Sequence, residues 1–75
     1  MRWLPIGHIA REAGISVATI RYYERQGLVE EAIRGANGFR LFKHEAIARL
    51  QQIKQSKTRG LSLAQIRDLL VEELT

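Results

Sequence analysis

Gly14 separates two short amphipathic segments, and its neighbours constrain the fold more than any other part of the chain. The run from Ile6 to Arg25 reads IGHIAREAGISVATIRYYER. Small residues at Ala10 and Ala13 let two helix axes approach closely. Gly14 stands where the chain must leave the first helix in a left-handed conformation that a side chain would penalise. Ser16 is a good N-cap for the next helix, its hydroxyl accepting from a free N–H near Ala18 or Thr19. Ile9, Ile15, Ile20 and the ring of Tyr23 can fill the wedge between the two. These features together describe a helix-turn-helix unit.

The second helix of that unit carries charge on its outer side. At 100° per residue, Ala18, Arg21, Tyr22 and Arg25 fall within one arc about 100° wide, while Ile20 and Tyr23 point towards the first helix. Arg21 and Arg25 are also i, i+4 neighbours, which is mildly repulsive unless an anion lies between them. Residues 1–60 hold 11 Lys/Arg against 5 Asp/Glu, whereas residues 61–75 hold 1 against 3, so the basic excess belongs to the helix-turn-helix and the segment after it. A surface that faces phosphate requires such a distribution.

Pro5 suits the first turn of a helix, so the first helix is predicted from about Pro5 to Ala13 and the second from about Val17 to Gln26, ended by Gly27. Leu28-Val29 starts an extended segment, and Phe39-Arg40-Leu41-Phe42 alternates as a strand does. Asn37-Gly38 between them is a strong hairpin signal, giving a two-stranded wing that carries Arg34 and Arg40 and must lean on the helices. A third helix from about His44 to Thr58 sets Ile47, Leu50 and Ile53 on one stripe, with Glu45 and Arg49 paired at i, i+4. Gly60 ends it. Ser62-Leu63-Ala64-Gln65 then forms a capping box, with Leu61 and Ile66 as its hydrophobic staple, and a fourth helix runs to about Glu73.

The expected fold class is therefore mainly α. It is a winged helix-turn-helix of about four helices and a small two-stranded β wing. Residues 1–75 form one domain, with the helix-turn-helix at 6–25, the wing at 28–42 and helices at 44–58 and 63–73. The 45% hydrophobic content is that of a folded chain, and the absence of cysteine removes disulfides and thiolate metal sites. No apolar run approaches the ~20 residues that span a bilayer, and there is no signal-peptide pattern. His8 and His44 stand apart without ligand spacing and read as surface or capping residues, so neither metal nor cofactor is expected. Ser16 fits no hydrolase pattern and there is no phosphate-cradling Gly-rich loop, so no catalysis is assigned.

With these elements placed, the chain resembles the DNA-binding domain of MerR-type bacterial transcription regulators. The matching residues begin with Ile6-Gly7, Ala10, Gly14, Ser16-Val17 and Thr19-Ile20-Arg21-Tyr22-Tyr23-Glu24. Gly27-Leu28, Arg34 and Asn37-Gly38-Phe39-Arg40-Leu41-Phe42 come next. Arg49-Leu50, Ile53, Gly60-Leu61-Ser62-Leu63, Ile66 and Leu69-Leu70 complete the match. The resemblance implies a cytoplasmic homodimer, joined by a dimerisation helix beyond Leu74, on an inverted repeat in double-stranded promoter DNA. The bound dimer would distort an over-long spacer and so act on RNA polymerase indirectly; a C-terminal sensor region is expected to distinguish members. No membrane partner is implied.

The implied DNA-binding set is Ser16, Ala18, Thr19, Arg21, Tyr22, Tyr23, Arg34, Asn37, Gly38, Arg40 and Lys57. Arg21 and Tyr22 would face the major groove or its phosphate edge. Tyr23 would reach a phosphate with its hydroxyl while its ring packs. Arg34, Asn37 and Arg40 would clamp the flanking backbone, and Lys57 would touch phosphate nearer the dyad. Arg11, Lys54 and Arg67 read as solvating their helices, and Arg25 and Arg59 fit either role.

The chain departs from the family pattern at several positions. Phe39 and Phe42 replace the wing tyrosines, each losing a possible phosphate hydrogen bond worth about 1 kcal/mol. Lys43 replaces the Ser or Thr that usually opens the third helix and is expected to add a phosphate contact instead. His8 replaces the acid that caps the first helix, and Val29-Glu30-Glu31-Ala32 lacks the usual proline. Two other readings use the same residues: an excisionase-like or phage-packaging DNA-binding accessory protein, and a protein-interaction module docking through the apolar tail and tyrosine face.

Overall fold

The computed structural model describes residues 2–30 and 32–74, with side chains described through Val71, so the expectations placed on Glu31 and on the side chain of Leu74 lie outside the described residues. Three short strands and four helices succeed one another as β1 (Trp3–Pro5), α1 (Ile6–Ala13), α2 (Val17–Arg25), β2 (Ile33–Arg34), β3 (Arg40–Lys43), α3 (Ala46–Thr58) and α4 (Leu63–Leu74). No helix among the described residues is long and apolar enough to cross a membrane.

The helix-turn-helix forms for local reasons. Gly14 takes φ 70° and donates its N–H to Ala10 O, closing α1 in the left-handed conformation reserved for glycine. Ser16 then starts α2, its Oγ accepting from Thr19 N at 3.1 Å. Ile9, Ala13, Ile20 and Tyr23 meet in the wedge, with Ile9 and Ile20 wholly buried. At its far end α2 closes on Gly27, where Gly27 N donates to Glu24 O and Leu28 N to Tyr23 O. That pair of bonds turns the chain sharply.

The sheet corrects the expected two-stranded wing. It has three antiparallel strands in the order β1-β3-β2, with Leu4 opposite Phe42 and Arg34 opposite Arg40. The strand Trp3-Leu4-Pro5 is too short to alternate visibly, and proline normally argues against a strand. Here β1 is an edge strand, where the missing N–H of Pro5 costs no ladder bond. Pro5 then serves as the N-cap of α1, so the helix starts at Ile6 rather than at Pro5. Leu4 and Phe42 are both buried, and this cross-strand pair anchors the wing in the common core.

Leu28 and Val29 are also corrected. They pair with no strand but sink into the core at 1% and 3% exposure, because the turn at Gly27 drives them inward. The hairpin itself turns over three residues, since Gly35 N donates to Phe39 O and Gly38 N to Gly35 O. Gly38 alone takes the left-handed position at φ 82°, and Asn37 stays at negative φ. Asn37-Gly38 thus ends a turn rather than forming the centre of a two-residue one.

On the other side, α3 begins at Ala46 rather than His44. Glu45 is its N-cap and makes no ion pair with Arg49 among the described residues. Ala46, Leu50 and Ile53 are its buried stripe, with Ile47 half-buried beside them. The capping box of α4 closes in both directions, Gln65 N to Ser62 Oγ at 3.1 Å and Ser62 N to Gln65 Oε1 at 2.8 Å. Ile66 and Leu70 then complete the single core.

Lys54 and Arg67 do more than solvate their helices. Lys54 Nζ donates to Gly14 O at 3.0 Å, and Arg67 Nη2 donates to Gln26 O at 2.8 Å. Each places a positive charge on the C-terminal end of another helix, α1 and α2 respectively, where free carbonyls and the helix dipole favour one. Gln51 Nε2 adds a weaker bond to Glu12 O at 3.4 Å. The long helices therefore hold the helix-turn-helix by its two C-termini.

Candidate nucleic-acid interface

Because Ile20 and Tyr23 face inward, α2 must turn Ala18, Arg21, Tyr22 and Arg25 to solvent, and all four are exposed. Among the described residues the side chains of Arg21, Tyr22 and Arg25 have no hydrogen-bond or ion-pair partner in the protein. The tyrosine rings lie 6.0 Å apart at an interplanar angle of 50°. Tyr23 keeps 8% exposure, and since no buried side-chain polar atom among the described residues is left unpaired, its unbonded hydroxyl keeps some contact with solvent. A packed ring with a wet hydroxyl suits a phosphate contact from a fixed position.

The N-terminal end of α2 is more tied. Ser16 Oγ accepts from Thr19 N and donates to Thr19 Oγ1 at 2.8 Å, which leaves the Thr19 hydroxyl proton as the free donor of the pair. Ser16, Ala18 and Thr19 lie at the opposite end of α2 from Arg25 and line neither cleft beside the wing.

The wing residues are engaged by their own chain. Arg34 Nη1 donates to Gly38 O at 2.9 Å, drawing the guanidinium over the turn. Asn37 Oδ1 accepts from Phe39 N at 3.2 Å, so its carbonyl shapes the turn and only its amide N–H groups remain for a ligand. Arg40 Nη1 donates to Glu24 Oε1, in an ion pair whose Glu24 side chain is 5% exposed and whose Arg40 side chain is 39% exposed. Lys43, expected to add a phosphate contact, has its ammonium on Glu30 Oε1 at 2.9 Å and 6.0 Å from the Trp3 ring centroid, so any such contact would compete with that exposed ion pair.

Two clefts join the helix to the wing. The larger is lined by Pro5, Ile6, Gly7, Arg21, Arg34, Gly38, Phe39 and Arg40. The smaller is enclosed by Arg21, Glu24, Arg25 and Arg40. The fold thus brings Arg21, Arg34, Gly38 and Arg40 to one place, with Tyr22 on the adjacent face. Lys57 is exposed near the end of α3 and lines neither cleft.

Glu24 and Phe39 belong to this surface, yet neither stands out as a contact residue in the sequence. Phe39 is 67% exposed at the end of the hairpin, an apolar ring beside the arginines. Glu24 has a sequence signal, being one of few acids in a basic segment. Its partners do not, since Ala32 N (2.8 Å to Oε2) and Arg40 lie 8 and 16 residues away.

A model of the MerR HTH family regulatory proteins matches residues 4–73. The HTH-type transcriptional regulator ZntR of Escherichia coli K12 is 42% identical over 65 residues, 87% of this chain and 46% of that protein. The mercuric resistance operon regulatory protein of Bacillus cereus is 40% identical over 65 residues, 87% of this chain and 49% of its own. Among solved structures, HiNmlR, a MerR family regulator lacking the sensor domain and bound to promoter DNA, superposes with a TM-score of 0.85 at 26% identity, covering 97% of this chain and 55% of that one. The chain spans about half the length of these curated relatives.

Proposed function

The chain belongs to the MerR HTH family of regulatory proteins, and from that premise we propose that it binds double-stranded promoter DNA sequence-specifically and regulates transcription in the bacterial cytoplasm. The observation that carries this reading is the exposed Arg21-Tyr22-Arg25 face of α2, without a hydrogen-bond or ion-pair partner among the described residues and set beside the wing arginines across shared clefts. A helix about 10–12 Å across with such a face matches the width of the major groove.

In this reading Arg21 and Tyr22 contact base edges or the phosphates at the groove rim, with Ala18 allowing close approach. Ser16 and Thr19 meet the backbone at the start of α2, and Tyr23 donates to a phosphate. Arg34, Asn37, Gly38 and Arg40 hold the flanking strand, and Lys57 contacts phosphate towards the centre of the site. Two copies bind an inverted repeat as a homodimer, distort the spacer between the half-sites and so act on RNA polymerase through the DNA. The deformation costs several kcal/mol at most, and backbone contacts offset it. No metal or cofactor has a part in this DNA contact.

Support comes from the family membership and from the promoter-bound relative of the same fold. The test is duplex binding across a salt series. With about six phosphates neutralised per protomer, log affinity falls against log salt with a slope near −5. Affinity that ignores salt, or no binding to any duplex, would overturn the proposal. A footprint extending across a promoter spacer supports the regulatory role, whereas one confined to an attachment site would favour the accessory-protein reading.

A further inference from the structure

We infer that Glu24 is a positioning residue for the DNA contact: its buried carboxylate fixes the wing against α2 and aims Arg40 into the cleft it shares with Arg21 and Arg25. The inference rests on the DNA-binding reading above and assigns a role within that surface to an acidic residue.

The carboxylate faces two elements at once. Oε2 accepts from the backbone N–H of Ala32 at 2.8 Å, just before β2, and Oε1 accepts from Arg40 Nη1 on β3. With a side chain 5% exposed, Glu24 is screened little by solvent, so both bonds act at close to full strength. Among the described side chains, no hydrogen bond besides those of Glu24 joins α2 to β2 or β3 or to Ala32 just before β2. Glu24 therefore supplies the polar link between helix and wing, on top of the apolar packing of Phe42 in the common core.

The charges around it show why an acid is useful in a DNA-facing surface. Arg21, Arg25 and Arg40 enclose a cleft with Glu24. One carboxylate against three guanidiniums leaves the cleft positive, and the repulsion that would otherwise push the arginines apart is offset at the centre. Arg40 spends one nitrogen on Glu24 and keeps the other donors of its guanidinium for a ligand. A phosphate arriving between helix and wing thus meets arginines already in place, and the ordering cost of that contact falls before binding.

Charge and positioning predict opposite signs, and that makes the inference testable. Removing a negative charge beside DNA strengthens phosphate binding if Glu24 acts as a charge alone. Removing it weakens binding if Glu24 acts by holding Arg40. Glu24→Gln keeps an oxygen for Ala32 N while weakening the Arg40 bond. Its affinity for a short fluorescein-labelled mixed-sequence duplex, read by anisotropy at low salt, is expected to fall about ten-fold, the scale of one charge-assisted hydrogen bond. In the Arg40→Gln background the same change is expected to cost nothing and to strengthen binding slightly, because only the charge effect remains.

The sign reversal between backgrounds is the signature, since general loss of structure would weaken binding in both. Far-UV circular dichroism and thermal melting of each variant locate any loss of fold. Tighter binding by Glu24→Gln in the otherwise unchanged chain, or equal losses in the two backgrounds, overturns the inference while leaving DNA binding intact. Failure of the unaltered chain to bind the duplex overturns the proposed function itself, and this inference with it.

Discussion

The outer face of α2 and the wing both present arginines to the same clefts, but in opposite states. On α2, Arg21, Tyr22 and Arg25 are exposed, and their side chains form no hydrogen bond or ion pair among the described residues. In the wing, Arg34 is folded onto Gly38 O and Arg40 onto Glu24. A helix needs no help to hold its side chains in register, because its backbone bonds already fix where each Cβ points. A two-stranded projection closed by a three-residue turn has far less internal support, so its cations are tied to the chain. Under the proposed function, the helix would choose among ligands and the wing would meet an invariant one. Bases vary and phosphates do not.

This contrast can be broken first at the root of the wing. Phe42 is 1% exposed and sits opposite Leu4 in the common core. Phe42→Ala is expected to cost about 3–5 kcal/mol, enough to unfold much of a domain this small. Urea unfolding followed by Tyr and Trp fluorescence should show helix and wing lost in one transition. A wing that melts alone, with the helical signal unchanged, would show that the two regions are separate cooperative units.

The next effect separates the roles of the two regions. Arg21→Ala is expected to cost about 1–3 kcal/mol of affinity at the preferred site and to flatten the preference among sequences. Arg40→Ala should weaken all sequences alike. Binding-site selection on randomised duplexes compares the two profiles, and identical profiles would refute the division.

Gly14 tests whether the helix-turn-helix is poised as tightly as it looks. At φ +70° a side chain is strained, and an added Cβ would stand 2.9 Å from Lys54 Nζ. The lysine tip can move, but only by giving up its bond to Gly14 O. Gly14→Ala is expected to lose about 1–3 kcal/mol in thermal or urea unfolding. A neutral result would mean that the turn relaxes at no cost.

The smallest expected effects concern the ends of the helices. Lys54→Met and Arg67→Met each remove a cation from a helix C-terminus while keeping the aliphatic stem. Each should cost about 0.3–1 kcal/mol in urea unfolding. Loss of DNA affinity without loss of stability in either variant would move that residue from the scaffold to the interface.

The helices and the turn between the first two were legible because their signals are local. Gly14, the Ser16 cap, the buried side of α2 and the Ser62-Gln65 box all act within four residues. The strand Trp3–Pro5 was not legible. Three residues ending in proline hold no periodicity, and they become a strand only because Phe42 lies alongside. The candidate interface divides the same way. The exposure of Arg21 and Tyr22 comes from helical phase, whereas the attachments of Arg34, Arg40 and Lys43 depend on which neighbours the turn and the sheet deliver.

What the amino-acid order alone determined is a helix-turn-helix with a basic, tyrosine-bearing outer side, and a resemblance strong enough to name its family. The folded molecule decided which charges are spoken for. Glu24 finds Ala32 and Arg40 at separations of 8 and 16 residues, Lys54 finds Gly14 at 40, and Arg67 finds Gln26 at 41. Long flexible side chains carry no directional preference in sequence, so their partners exist only once packing has placed one helix end or strand within their reach.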